Sequence, residues 1–209
     1  AQAAELLAKA ERPLILAGKG SRDTGAWADR IRLAERLDAR VLTDLKAGAA
    51  FPTDHALHPL PPIKRPSKAA CEMIAEADVI LALEWIDLAG TFKQALGDPA
   101  ATVRHTAIRE LGELGSDARP AGPELFARLD TSEDRQLTLE ALRRVRVRDV
   151  DLYISILHND EPLVRLFACQ ALRRAGKAAR KALPELRKLT RDSYDFVRRE
   201  ARRAVESFD

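Results

Sequence analysis

The residues best suited to chemistry fall into four groups. Gly18-Lys19-Gly20-Ser21 forms a turn ahead of a helical pattern, where main-chain amides and an adjacent lysine could cradle a phosphate. The turn lacks the third glycine of a dinucleotide fingerprint and the lysine spacing of a P-loop, so it reads first as structural and second as a phosphate-binding candidate. Asp54, His55 and His58 share a proline-rich loop, but two imidazoles and one carboxylate do not complete a metal site, and none is expected. Cys71 and Cys169 could act as nucleophiles only with a lowered pKa; neither has an activating neighbour in sequence, and both read as core thiols. The fourth group is basic: Arg173, Arg174, Lys177, Arg180, Lys181, Arg199, Arg202 and Arg203 crowd the end of the chain with few carboxylates between them, a candidate surface for a partner or polyanion. The chain holds no Ser-His-Asp arrangement, HExxH, Walker lysine or paired metal ligands, so no catalytic residue is expected.

The scaffold for these groups is limited by size. A chain of 209 residues with 46% hydrophobic content can bury two modest cores. Its net charge of +3 is small against 32% charged residues, but the excess lies late. No run approaches the roughly 18–20 apolar residues that span a bilayer, and the opening AQAAELLAKAERP carries charges where a signal peptide has an apolar centre. These features predict a soluble protein with no membrane partner. Two cysteines without CxxC spacing fit the reducing cytoplasm. A first residue of alanine instead of methionine reads as a trimmed piece.

The first half alternates. Ala3–Ala10 has helical spacing that Pro13 stops, and Leu14-Ile15-Leu16-Ala17 is a short apolar strand. Asp23 or Thr24 can cap a helix reaching Leu37, Arg40–Thr43 gives a second strand, Pro66–Ala75 a second helix and Val79–Leu83 a third strand. The order β-α-β-α-β predicts a parallel sheet. Four blocks carry a resemblance: Arg12 to Gly20, then Leu33-Ala34-Glu35-Arg36-Leu37 into Val41-Leu42-Thr43, then Phe51-Pro52-Thr53-Asp54-His55 with His58-Pro59, and Glu76 to Leu83. Over residues 1–97 these resemble the central domain of thiamine-diphosphate-dependent enzymes of the acetolactate synthase and decarboxylase type. The resemblance implies a Rossmann-like half-domain, shortened because the family continues with further strands after the third. Glu84 stands where many members have glycine. It also implies that thiamine chemistry resides in two other domains that this chain lacks. No cofactor is therefore expected here, and thiamine diphosphate and Mg enter only if missing domains complete the enzyme.

The second half repeats. Val103-Arg104 with Ala107, Leu111 and Gly115 matches Val164-Arg165 with Ala168, Leu172 and Gly176 in spacing. Val197-Arg198 with Ala201 and Val205 repeats the pattern, and Leu137 with Ala141 and Val145 reads as a degenerate copy. Second helices are expected near Pro120–Leu129, Val150–Leu157 and Ala178–Leu189. The pattern resembles the HEAT-like repeat, including the form in phycobilin-lyase-related proteins, over residues 98–209. In such repeats Arg104, Arg165 and Arg198 commonly pair with turn aspartates, here Asp98, Asp160 and Asp192, though a row of arginines could also bind phosphates.

The expected architecture is thus a three-stranded parallel α/β half-domain over residues 1–97 followed by an all-α HEAT-like solenoid over residues 98–209. The leading function is a non-catalytic interaction or scaffold module that presents its repeats to a protein partner. Alternatives are a fragment or accessory subunit of a thiamine-diphosphate carboligase or decarboxylase, nucleic-acid binding by the basic late repeats, and, on fold analogy alone, a lyase. Exposed sheet edges would also permit a homo-oligomer.

Overall fold

The computed structural model describes residues 2–21, 23–64 and 66–208. Ala1 and Asp209, the outer ends of the two expected domains, lie outside them. The chain forms two compact units, Ala1–Ala107 and Ile108–Asp209.

In the first unit, helix α1 (Gln2–Lys9) gives way at the Arg12-Pro13 step to strand β1 (Pro13–Ala17). The apolar run of β1 is buried at every position because it is the central strand, with β2 (Arg40–Thr43) on one side and β3 (Val79–Leu83) on the other, all parallel. Ile15 stands opposite Val41 and Leu81. Helix α2 (Thr24–Leu37) starts where the Asp23 carboxylate accepts the Ala26 amide, and α3 (Lys68–Glu76) where the Ser67 hydroxyl accepts the Ala70 amide. Ile31, Leu33, Ala34 and Leu37 of α2 pack with Phe51 and Leu57 on Ile15 and Val41. The Asp78 carboxylate accepts the Glu11 and Arg12 amides at 2.6 and 3.0 Å, tying the entry of β1 to that of β3.

The two sheet edges differ. Beside β2, the Val41 amide donates to Leu57 and a bridge joins Asp44 to Ile63, so the proline-rich loop covers that edge. The residues of β3 stay half-buried or exposed. Where β1 and β3 end, the Gly18 and Lys19 amides donate to the Leu83 and Glu84 carbonyls at 2.8 and 2.9 Å. The approach is so close that a Cβ on Gly18 would lie 2.0 Å from the Glu84 oxygen. Glu84 itself has φ 48°, a left-handed backbone that glycine would adopt at lower cost.

Helix α4 (Leu88–Ala95) closes the α/β segment, and the division between units falls inside α5 (Ala101–Leu114). The second unit continues with α6 (Gly122–Ala127), α7 (Ser132–Val145), α8 (Val150–Ser155), α9 (Pro162–Ala175), α10 (Leu183–Leu189) and α11 (Asp195–Glu206). Long helices alternate with short ones, as a hairpin repeat requires. Gly112 meets the Ala141 backbone, where an added Cβ would sit at 3.1 Å, so small residues set the approach of α5 to α7.

A recurring arginine fixes the register of the repeats. Arg104 donates to the Asp98 and Pro99 carbonyls, Arg165 to Asn159 and Asp160, and Arg198 to Asp192 and Ser193. Arg135 does the same to Leu129 and Asp130. The degenerate copy therefore begins at Asp134-Arg135, one helical turn before Leu137, with Thr138 and Leu142 in place of Ala168 and Leu172. Asp134 and Thr138 are fully buried, as Val164 and Ala168 are, whereas Leu137 is half-exposed. Apolar periodicity alone is ambiguous by one turn, and two polar residues at core positions hid the true register.

Candidate interaction groove in the helical repeats

The first unit engages its candidate groups internally. The Gly18, Lys19 and Gly20 amides donate to Leu83, Glu84 and Gly18 carbonyls, and the Ser21 hydroxyl accepts the Asp23 amide. Asp23 also places a carboxylate at the start of α2, where an anion would otherwise sit. His55 meets Glu35 at 3.3 Å through Nε2 and accepts the Leu57 amide at Nδ1, while His58 Nε2 meets the Thr43 hydroxyl at 2.9 Å. Burial holds the His58 pKa below that of a free imidazole. Among the described residues no cluster of three His, Cys, Asp or Glu side chains is placed to hold a metal.

Both thiols are buried, and burial pushes Cys71 up and Cys169 to about 12, which keeps them protonated.

The late basic residues divide. Arg173 donates to the buried Glu200 at 2.7 Å, with Arg203 at 3.7 Å from the same carboxylate. Lys181 pairs with Asp151 at 2.6 Å and Arg199 with Asp195 at 2.9 Å. The Arg173–Glu200 and Lys181–Asp151 pairs join the Arg165–Asp192 pair, at 2.8 and 3.0 Å, and the Arg135–Glu161 pair, at 3.6 Å, in linking one repeat to the next, whereas the Arg199–Asp195 and Arg203–Glu200 pairs lie within α11. The ladder arginines therefore use turn carbonyls in their own repeat, and Arg165 the carboxylate of the following one. Among the described residues, Arg174, Lys177, Arg180 and Arg202 have no ion pair.

Arg174 opens onto a groove of about 710 Å³ bounded by α7, α8 and α9. Arg143, Arg146 and Arg148 line it as well, and no carboxylate does. Its floor is apolar, built from residues such as Val150, Phe167 and Ala171. The Arg143 guanidinium lies 5.8 Å from the Phe167 ring centre, and the Tyr153 hydroxyl donates to the Val147 carbonyl at 3.0 Å. Burial raises the Tyr153 pKa to about 12, against the opposing charge of Arg174, so the phenol remains a donor.

The groove exists because the middle repeat departs from its neighbours. They turn out of their long helices at Gly115 and Gly176, with φ 55° and 57°, into 3₁₀ segments, Gly115–Ala121 and Gly176–Ala182, that bury two alanines each. At the equivalent place stands Arg146, with φ 52°, followed by an irregular stretch over 146–149. Three arginines of the groove escaped the sequence reading because they sit in the copy whose register was obscured. The signal that could have found them is the run Arg143-Arg144-Val145-Arg146-Val147-Arg148.

Comparison with known proteins follows the same division. Residues 1–89 match the family described as thiamine pyrophosphate enzyme, central domain, and residues 122–206 match HEAT repeats. The first half resembles a thiamine enzyme's central domain; the second carries HEAT repeats. Sulfoacetaldehyde acetyltransferase of Roseovarius nubinhibens is 46% identical over 82 residues, 39% of this chain and 14% of that enzyme. A probable acetolactate synthase large subunit of Methanocaldococcus jannaschii is 40% identical over 82 residues, again 39% and 14% of the two chains. The match spans about one seventh of these relatives. A designed armadillo repeat protein aligns with 91% of this chain and 96% of its own at 16% identity and a TM-score of 0.43. Among the described residues no helix is long and apolar enough to cross a membrane.

Proposed function

We propose that the chain is a non-catalytic interaction or scaffold module, whose HEAT repeats hold a protein partner and whose other part is the α/β segment of residues 1–97. The observation that carries this reading is the open groove of the repeats, an apolar floor under four arginines that no carboxylate of the described residues neutralises. Concave sites with an apolar base and few polar groups are where folded scaffolds bind. The edge strand β3, whose residues are half-buried or exposed, offers a second surface, through which two copies could pair edge to edge. Two buried free thiols suit a reducing compartment such as the cytoplasm. The test is affinity capture from the source cell's extract with the whole chain and with Arg143→Ala/Arg148→Ala. A protein captured by the first and lost with the second, at unchanged circular dichroism, supports the reading. Identical capture by both, or none by either, refutes it.

A second reading has its own observation, the 46% identity of the first half to sulfoacetaldehyde acetyltransferase over 82 residues. On that reading the chain is a fragment or accessory subunit of a thiamine-diphosphate carboligase. Acyl-transfer activity that appears when this chain is mixed with separate thiamine-binding domains would favour it; activity independent of the chain would reject it.

A further inference from the structure

We infer that the groove bounded by α7, α8 and α9 takes an acidic peptide segment of the partner that also carries apolar side chains, its carboxylates on the arginine rim and its apolar groups on the floor. This rests on the reading of the repeats as an interaction module and specifies what they recognise.

Charge complementarity is the first support. Arg143, Arg146, Arg148 and Arg174 face the groove, none has a carboxylate partner among the described residues, and the lining contains no acid. Elsewhere in this unit the ion pairs of Arg144 with Glu113, Arg165 with Asp192 and Arg173 with Glu200 show what its arginines do when a carboxylate is within reach. Like charges gathered around one cavity repel, and a ligand with several carboxylates relieves that repulsion while forming charge-assisted hydrogen bonds.

Backbone strain is the second, independent support. Arg146 occupies the left-handed position that Gly115 and Gly176 fill in the adjoining repeats. A side chain there costs stability that glycine avoids, and strain of this kind persists where the side chain has a use. After Arg146 an irregular stretch replaces the 3₁₀ turn found at the corresponding place in the neighbours, and Val147 and Arg148 line the groove there.

The floor selects the ligand class. Phe167 and Tyr153 are 2% and 6% exposed, and Arg143 already lies over the Phe167 ring, so the rings offer no face on which bases could stack. Val150 and Ala171 present aliphatic surface, which suits Leu, Ile or Met side chains between acidic residues.

The experiment is fluorescence anisotropy with the whole chain and a short labelled peptide alternating glutamate and leucine. Saturable binding is expected, weakened on the order of tenfold or more by Arg146→Gly/Arg174→Glu and left unchanged by Arg202→Ala, an exposed arginine outside the groove. A glutamate–serine peptide of equal charge should bind at least about tenfold more weakly, because it leaves the floor empty. Equal binding of the two peptides, tighter binding of a single-stranded oligonucleotide, or an Arg202→Ala loss matching that of the groove variant would overturn the inference. If the glutamate–leucine peptide fails while extract capture still depends on Arg143 and Arg148, the peptide chemistry is wrong and the interaction module stands. Failure of both removes both.

Discussion

Replacing Arg165 by alanine should cost the second unit about 3 kcal/mol. Its Nε and Nη2 meet both Asp192 oxygens at 2.8 and 3.0 Å, and Nη1 reaches the Asn159 and Asp160 carbonyls at 2.8 and 2.9 Å. The two side chains are only 11% and 5% exposed, so water cannot replace what is lost. Removing one partner of a buried pair leaves a desolvated charge, the costly case. Asp192→Asn keeps the shape and the carbonyl contacts but weakens the charged hydrogen bonds, for a loss of about 1.5 kcal/mol. The double variant should fall short of the sum, because each single change already breaks the same bonds. Urea unfolding followed by far-ultraviolet circular dichroism on the whole chain measures this, with the transition of the second unit fitted separately. In heat, 3 kcal/mol corresponds to a midpoint lowered by roughly 15 °C for a unit of about 100 residues. A loss below about 1 kcal/mol at unchanged slope would be the value of an exposed pair and would refute the idea that this contact bolts the repeats together.

Further outcomes follow from the same contacts. Burial works to raise the Asp192 carboxyl, but the Arg165 hydrogen bonds, the Tyr194 amide and the nearby arginine charges together hold it below the usual carboxylate range. Its stabilisation is therefore complete above the unfolded pKa of about 4 and is lost as pH falls through the folded value, a sensitivity that Asp192→Asn should diminish in an acid titration. His58 is kept neutral by burial, so the first unit should lose stability as pH drops below about 6.5 toward the depressed folded value, and His58→Gln should flatten its thermal midpoint between pH 7 and 5. Gly18→Ala should cost roughly 3 kcal/mol, since the new carbon would collide with the Glu84 and Trp85 backbone; a midpoint equal to the parent's would show that the ends of β1 and β3 can separate. Arg146→Gly should raise the thermal stability of the second unit by about 0.5 kcal/mol while weakening peptide binding, a trade that only a strained binding residue produces.

Much of the fold was legible along the chain. The apolar run Leu14–Ala17 could only be a buried strand ahead of a turn, and β2 and β3 fall on Arg40–Thr43 and Val79–Leu83 as their apolar runs predict. Asp23 caps its helix because a short carboxylate at that position reaches a free amide. Gly115 and Gly176 end their helices because glycine accepts a positive φ. These are local preferences, settled within a few residues.

The site was less legible, because what matters there is which groups remain without partners. Arg173 and Arg174 are neighbours of the same type, yet α11 brings Glu200 to the first and the turn of a helix points the second into the groove. The register of the middle repeat was likewise decided by Arg135 finding two carbonyls that no periodicity reveals. By itself the sequence determined the elements and their repetition, through residue-by-residue backbone preference and apolar spacing. Only the tertiary structure decided which arginines are neutralised, because an ion pair depends on a carboxylate some thirty positions away in the chain being carried within 3 or 4 Å by the stacking of repeats.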